Sequence, residues 1–240
     1  MPNAARFLKF WDHDRSLTAL LVLLALNLLV LSPASHLGEF VVPLIHASLF
    51  LMLFAGILTM GRRGTFRIVA VGFVLLAIIA RTAMFFLDFP WLRVMELALT
   101  GVCVALIIYV VALMVFREGP VTGHRIQGAV ALYLLIAAFF SLLYALLEFL
   151  SPGALRFPDG SRLAGSGLLD ALAYFSFVTL TTVGYGDVTA VHPFARSLVM
   201  FEALIGQLYP AILLPRLVTL YEATRRPGKC GGGGKTPSQE

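Results

Sequence analysis

Apolar residues occur in this chain in long, nearly uninterrupted runs that are separated by short polar stretches. Most of these runs hold about 20 residues or more, which is the length of a helix that crosses the hydrocarbon core of a bilayer. The pattern therefore predicts an all-α membrane protein with six transmembrane helices. The predicted segments are Leu17–Ser32, Phe40–Met60, Phe66–Phe86, Leu92–Phe116, Ile126–Leu150 and Phe194–Tyr221.

The connection between the fifth and sixth segments is long and contains a further apolar stretch. This stretch, Leu168–Leu180, suffices for a helix of about three turns, and the glycine-containing residues 181–187 follow it directly. Irregular backbone at membrane depth is tolerated only where it is buried in protein or lines a water-filled cavity. We therefore expect a re-entrant helix over residues 168–180 and a functional loop over residues 181–187.

The composition agrees with a membrane protein. Of the 240 residues, 59% are hydrophobic and 13% are charged, whereas soluble domains are about a quarter charged. The net charge of +5 does not indicate a nucleic-acid partner, because no basic face exists outside the loops between the apolar runs. The runs contain no serine–histidine pair, no histidine–glutamate metal motif and no cysteine cluster, so the sequence predicts neither an enzyme nor a cofactor.

The basic residues are distributed unequally between the two sets of loops and ends. Four of them, at positions 93, 156, 162 and 196, lie on one side of the predicted spans. Because cytoplasmic loops carry the excess of lysine and arginine, we expect a multi-pass protein of the cell membrane with both termini in the cytoplasm. The twelve basic residues on the predicted cytoplasmic side are Arg6, Lys9, Arg15, Arg62, Arg63, Arg67, Arg117, Arg125, Arg225, Arg226, Lys229 and Lys235.

Residues 180–188 read Leu-Thr-Thr-Val-Gly-Tyr-Gly-Asp-Val, which suits a site for a dehydrated monovalent cation. Such an ion needs oxygen ligands in place of its water shell, and backbone carbonyls supply them without net charge. Turning successive carbonyls the same way requires backbone conformations that Gly184 and Gly186 permit. Thr182 adds a hydroxyl acceptor, and the carbonyl end of the preceding helix favours a cation through its dipole.

This run resembles the selectivity filter of the potassium-channel family. The specific similarity covers about Ile126–Tyr221, a two-span pore module, and the earlier segments match the six-span members of the family by position and number only. Because the family builds the filter from four loops and this chain has one, the resemblance implies a homotetramer. It implies a filter of Thr182, Val183, Gly184, Tyr185 and Gly186, with K+ bound at Thr182, Val183, Gly184 and Tyr185, and supporting roles for Thr181, Asp187, Tyr174, Phe175 and Glu202.

Two of these supporting residues have specific expected partners. Tyr174 is expected to donate a hydrogen bond to Asp187 and so to brace the outer mouth. Glu202 is expected either to hydrogen-bond with Ser176 or Thr179 of the pore helix or to control the stability and proton sensitivity of the filter.

The sixth segment contains candidate gating residues. Gly206 lies where related channels carry a hinge glycine, and a helix that contains Pro210 and Pro215 is expected to bend, because each proline removes a backbone hydrogen bond. This bend either lets the inner helix ends splay or is a static kink that shapes the cavity. In the fourth segment Arg93 at the outer end is the one basic residue, so a conventional voltage sensor is not expected.

The predicted division of the chain follows from these segments. It comprises a cytoplasmic interfacial segment (1–16), a four-helix sensor-like domain without gating charges (17–118), a cytoplasmic linker (119–125), a pore domain (126–224) and a disordered cytoplasmic tail (225–240). Within the pore domain we expect an outer helix at 126–150, the pore helix at 168–180, the filter at 181–187 and the inner helix at 194–222.

The predicted function is passive conduction of K+ through a potassium-selective channel. The expected partners are K+ as the permeant ion, membrane lipids and further copies of the chain. Two alternatives stay open at this point: a potassium uptake protein, and a membrane scaffold or enzyme with a vestigial pore.

Overall fold

The computed structural model describes residues 13–26, 89–116, 123–158 and 165–225, together with positions 71, 72, 74–76, 79 and 82. Predictions for the second segment, most of the third, the loop before the outer helix and the C-terminal tail lie outside the described residues. The elements are helices α1 (His13–Leu26), α2 (Pro90–Val115), α3 (Gly123–Leu150), α4 (Gly165–Leu180) and α5 (Pro193–Arg225), and strands β1 (Leu155–Arg156) and β2 (Thr189–Ala190).

The described part of the chain is mostly helical, and three of its helices are long and apolar enough to cross a membrane. They run over Trp91–Val115, Arg125–Leu150 and Pro193–Arg216, and they correspond to the predicted fourth, fifth and sixth segments. A shorter apolar helix lies at Gly167–Leu180, where the pore helix is predicted. Thus three of the six predicted spans are helices of membrane-crossing length, and α1 covers part of the first segment.

The ends of the helices lie within a few residues of the predicted bounds. Helices α3 and α4 each begin three residues before the predicted start, at Gly123 and Gly165. Helices α2 and α5 each begin with a proline, Pro90 and Pro193, a residue that suits the first helical turn because its missing N–H has no partner there.

Two apolar cores lie along α3. The first lies between α1, α2 and the first half of α3 and includes Leu20, Val111 and Leu135. The second lies where the second half of α3 meets α4 and α5, and it includes Tyr144 and Phe175. Because lipid is as apolar as these side chains, helix association within a membrane depends on close packing and hydrogen bonds rather than on the hydrophobic effect.

A short ribbon joins the two loops that flank α4. Strands β1 and β2 pair in antiparallel register, Leu155 with Ala190 and Arg156 with Thr189. The Glu148 carboxylate at the end of α3 accepts hydrogen bonds from the N–H groups of Gly153 (2.7 Å) and Leu155 (3.0 Å). The loop before α4 and the loop after it are therefore tied to each other and to α3. The all-helical prediction does not include this ribbon.

Two arginines cap the C-terminal end of α2. Arg125 at the start of α3 donates through Nε to the Val115 carbonyl (2.9 Å), and Arg216 of α5 donates to the Phe116 carbonyl (2.6 Å). The Arg216 guanidinium also lies over the Phe116 ring, 5.4 Å from its centroid. Cations at a helix C-terminus satisfy otherwise unpaired carbonyls and oppose the helix dipole, so these contacts fix the end of α2 against the pore module.

Candidate functional site

Helix α4 ends in a turn whose hydrogen bonds determine the direction of the residues that follow. The N–H of Thr182 donates to the Thr179 carbonyl (2.9 Å) and the N–H of Val183 donates to the Val178 carbonyl (3.0 Å). Thr182 itself has a φ of 61°. This pattern is a Schellman C-cap, in which the left-handed position is usually glycine. The residue predicted to begin the filter is therefore also the residue that terminates α4.

Left-handed backbone recurs at every second residue of the predicted filter. The φ angles are 61° at Thr182, 54° at Gly184 and 78° at Gly186, whereas Val183 and Tyr185 between them do not have positive φ. A left-handed conformation costs an L-residue about 1–2 kcal/mol, and glycine adopts it freely. The glycines thus occupy the positions at which the conformation needs them.

The peptide groups at the start of this stretch all have the same orientation. The N–H groups of Thr182, Val183 and Gly184 all donate to carbonyls in the last turn of α4. The N–H of Gly184 donates to the Val178 carbonyl at 3.2 Å. Because the N–H and C=O of a trans peptide group point in opposite directions, the carbonyls of the three preceding residues face away from α4. The stretch therefore presents a row of main-chain oxygens that carry no net charge.

This row lies on the surface of the single chain. All residues from 181 to 187 are exposed, and the exposed fraction is 53% for Val183 and 72% for Tyr185. Only Val188, at the outer end, is buried. The row of oxygens is thus accessible from one side and held by α4 on the other.

At the outer end, Tyr174 of α4 contacts the residues that follow the glycines. Its ring stacks on that of Tyr185 with centroids 6.5 Å apart and planes inclined by 2°. Desolvation and the neighbouring Asp187 raise the pKa of the Tyr174 hydroxyl, so the hydroxyl keeps its proton. The hydrogen bond expected between Tyr174 and Asp187 stays a prediction. The neighbouring Phe175 is buried and packs edge-on against Tyr144 at 5.1 Å.

At the inner end, the row borders a cavity of about 500 Å³. The Gln207 side chain of α5 donates through Nε2 to the Thr182 hydroxyl (3.4 Å), and the Thr181 hydroxyl donates to the Phe177 carbonyl (2.7 Å). The cavity lies between α3, the end of α4 and α5. Its lining residues are Tyr133, Thr181, Thr182, Gly206, Gln207, Pro210, Ala211, Leu214 and Pro215.

Gly206 lies where α5 crosses the end of α4. A Cβ atom at this position would be 1.9 Å from the Leu180 carbonyl oxygen and 2.8 Å from its carbon. The same oxygen accepts a hydrogen bond from the Tyr133 hydroxyl (3.0 Å). The two backbones thus meet directly, and this contact gives Gly206 a packing role in addition to the predicted hinge role. The other two predicted hinge residues, Pro210 and Pro215, lie inside the continuous helix α5.

Glu202 is fully buried one turn before Gly206. Its carboxyl Oε2 accepts a hydrogen bond from the Tyr144 hydroxyl of α3 (2.6 Å), and its Oε1 contacts the Ser176 hydroxyl of α4. The Ser176 oxygen also lies 2.7 Å from the Ala137 carbonyl of α3. Of the two partners expected for Glu202, Ser176 is the one that it contacts. The contacts of Glu202 with Ser176 and Tyr144 join α5 to α4 and α3.

Three residues of the site were not singled out from the sequence: Tyr133, Tyr144 and Gln207. Each is a polar or amphipathic side chain within an otherwise apolar run, and this is the signal by which they could have been found. Their hydroxyl and amide groups need hydrogen-bond partners at membrane depth. Here those partners are Leu180, Glu202 and Thr182.

Two helices of membrane-crossing length lie before and after the short apolar helix and the exposed row of main-chain oxygens. Residues 129–223, which contain most of α3, all of α4 and most of α5, match the model of a family described as an ion channel. This match and the membrane-crossing helices together support an ion channel domain in a membrane protein, and they point to a transport protein.

Two curated relatives match a smaller part of the chain. Protein LctB of Geobacillus stearothermophilus is 41% identical over 71 residues, which is 29% of this chain and 51% of the relative. Protein LctB of Bacillus caldotenax is 32% identical over 87 residues, which is 36% of this chain and 64% of the relative. The chain therefore spans between half and two thirds of the length of these relatives, and their name states no activity. No solved structure matches this chain.

Proposed function

We propose that this chain is a subunit of a potassium-selective channel that conducts K+ passively across the cell membrane. The observation that carries the proposal is the left-handed backbone at alternate residues over Thr182–Gly186, together with the main-chain carbonyls of residues 181–183, which face away from α4. Carbonyl oxygens arranged in this way replace the hydration shell of a K+ ion. The K+ sites lie at Thr182, Val183, Gly184 and Tyr185.

The surroundings of the row support this role. The carbonyl end of α4 lies beside Thr182, and its dipole favours a cation at the inner end. Tyr174 and Asp187 brace the outer end. The cavity at the inner end provides the space in which a hydrated ion can approach.

The exposure of the row supports an assembly of several copies of the chain. One chain supplies oxygens on one side of an ion only, and residues 181–187 are exposed in the single chain. Four copies related by a cyclic axis enclose the ion and cover these residues. Enclosing the ion needs more than one copy, and the resemblance to potassium channels implies four, so the proposed assembly is a homotetramer, embedded in membrane lipid with both termini of each chain in the cytoplasm. Native mass spectrometry of the detergent-solubilised protein tests this: the expected mass is four times the 26.1 kDa of one chain.

Helix α2 does not carry the series of charges that a conventional voltage sensor needs. Helix α2 contains Arg93 and Glu96 in its first two turns and has no charged residue after them. Several charges per subunit must move through the membrane field for steep voltage dependence. Conductance is therefore expected to change little with voltage, unless the filter itself responds to it.

A flux assay in liposomes tests the proposed function. The purified protein is reconstituted in vesicles, and the efflux of K+ is compared with that of Na+ in vesicles that are otherwise identical. Efflux of K+ without efflux of Na+ supports the channel, and equal efflux of both ions contradicts selectivity. Absence of passive flux of either ion favours a scaffold or enzyme with a vestigial pore, and K+ movement that requires an energy source favours an uptake protein.

A further inference from the structure

The contacts of Glu202 form a chain of three oxygen–oxygen links. The Tyr144 hydroxyl lies 2.6 Å from Oε2 of Glu202, Oε1 of Glu202 contacts the Ser176 hydroxyl, and that hydroxyl lies 2.7 Å from the Ala137 carbonyl oxygen. Each link needs one hydrogen between its two oxygens. The Tyr144 and Ser176 hydroxyls supply one hydrogen each, and a backbone carbonyl supplies none.

The third hydrogen can come only from the carboxyl group itself. With a proton on Oε1, Glu202 donates to Ser176, Ser176 donates to the Ala137 carbonyl and Tyr144 donates to Oε2, so every link is satisfied. With an ionised Glu202, Ser176 has one hydrogen for two acceptors, and two oxygens then lie 2.7 Å apart with no hydrogen between them. We infer that Glu202 is a neutral carboxylic acid that positions the pore helix by donating its proton to Ser176.

The surroundings of Glu202 agree with a neutral group. Glu202, Ser176 and Tyr144 are all fully buried, and an ionised carboxylate in such a place needs a cation as partner. Within the described part of the chain, the titratable groups that act on it are the hydroxyls of Tyr133 and Tyr144 on α3, and no basic side chain is paired with it.

The nearest charged residues along the three helices lie further towards the outer loops. Glu148 and Arg196 contact the backbone of those loops, and Asp170 lies six residues before Ser176, about 9 Å along α4. None of them supplies the positive charge that an ionised Glu202 would need.

The proton on Glu202 also affects the proposed filter, and this part of the inference rests on the proposed function. Ser176 lies two residues before Val178, whose carbonyl receives the N–H groups of Val183 and Gly184. Glu202 therefore holds the turn of α4 from which the row of oxygens begins. Loss of the proton removes the donor to Ser176 and places a charge in a buried site.

Infrared spectroscopy of the purified protein tests the protonation state without any measurement of conduction. The C=O stretch of a protonated carboxylic acid lies above the amide I band. We expect such a band at neutral pH in the wild type, a small shift of it in D2O, and its loss in Glu202→Gln. If Glu202→Gln does not fold, glutamate labelled with 13C in the wild type assigns the band instead. A spectrum of the wild type without this band overturns the inference.

Three substitutions test the positioning role. In Glu202→Gln the amide NH2 donates to Ser176 and the amide oxygen accepts from Tyr144, so K+ flux should stay at the wild-type level. Glu202→Ala leaves both hydroxyls without a partner and should lower flux by about tenfold or more. Ser176→Ala should lower flux as well. If Glu202→Gln is as damaging as Glu202→Ala, Glu202 is an ionised acceptor and the inference is wrong.

The dependence of flux on pH separates a proton donor from a merely structural residue. Wild-type flux should fall as alkaline pH removes the proton, and flux through Glu202→Gln should not change over the same range. A parallel fall in both proteins counts against the inference. A wild type that shows the infrared band but conducts no K+ contradicts the proposed function and leaves the protonation state established.

Discussion

At the scale of single residues, the backbone around Thr182 combines two structural roles. Thr182 is the left-handed cap of α4, and it also begins the row of carbonyl oxygens. A β-branched residue with positive φ is rare, and here two hydrogen bonds of the cap and the Gln207 amide hold it in place. The helix end and the proposed ion site are thus built from the same peptide groups.

Alanine at Gly184 or Gly186 should abolish selective K+ flux. A Cβ atom at either position meets nothing within 4 Å in the single chain, so the effect comes from the backbone. The positive φ costs an L-residue about 1–2 kcal/mol, and the proposed homotetramer would contain four such sites. Flux of K+ and Na+ in liposomes measures the result.

The matched control for these variants is Gly153→Ala. Gly153 also has a positive φ, 88°, and open space around it, but it lies in the exposed turn before β1. The backbone penalty is therefore similar, and K+ flux should be retained. Selective conduction by Gly184→Ala and Gly186→Ala at the level of the control would show that the site is assigned wrongly.

Alanine at Gly206 should destabilise the protein, because its Cβ atom would collide with the Leu180 carbonyl. Overpacking of this kind typically costs about 1–3 kcal/mol, and here the colliding atom belongs to the backbone and cannot rotate away. Thermal unfolding in detergent measures the change. The control is Gly101→Ala, where a Cβ atom meets nothing within 4 Å. Equal stability of the two variants would favour a hinge role alone.

At the scale of the elements, hydrogen bonds and close backbone contacts join the helices at a few points. Thr18 of α1 donates to Gln127 of α3 (2.8 Å), and Tyr209 of α5 donates to the Ala129 carbonyl (2.7 Å). The rings of Tyr133 and Tyr209 stack between α3 and α5 at 5.6 Å. Such contacts fix the mutual orientation of helices for which lipid provides no hydrophobic driving force.

Replacement of Arg216 by leucine should loosen α2 from α5. The variant loses a charge-assisted hydrogen bond, worth about 1.5–3 kcal/mol, and a cation–π contact worth about 0.5–1 kcal/mol. Thermal unfolding measures the loss of stability. Phe116→Leu keeps the carbonyl acceptor and removes only the ring, so its effect should be smaller. An equal effect of the two variants would mean that the hydrogen bond contributes little.

The elements differ in how far the sequence predicts them. Helices α2 to α5 are predictable because each is a long apolar run with a polar stretch at its end. The β1–β2 ribbon is not, since two residues per strand carry no periodic pattern and the pairing is set by the distant loop. The role of Gly206 against Leu180 is also hidden, because a sequence marks a glycine without stating which neighbour approaches it. The positive φ of Gly184 and Gly186 is the best predicted backbone feature, since glycine marks such a conformation directly. That these residues form a filter for K+ stays a prediction.

At the scale of the whole molecule, the surface of the single chain has an exposed apolar part and an exposed polar part. Large apolar residues of α5, such as Met200, Leu204 and Ile212, are exposed, as expected for helices that face lipid or another copy of the chain. The polar row of residues 181–187 is exposed beside them. In the proposed homotetramer, four copies around one axis would place this row at the centre and leave other apolar surfaces for the lipid.

The reversal potential of single-channel current tests the central claim most directly. The protein is reconstituted in a planar bilayer with potassium salt on one side and the same concentration of sodium salt on the other. Each tenfold preference for K+ shifts the reversal potential by about 59 mV. We predict a shift of more than this value, in the direction that opposes K+ flow into the sodium side. A reversal potential near zero would contradict the account.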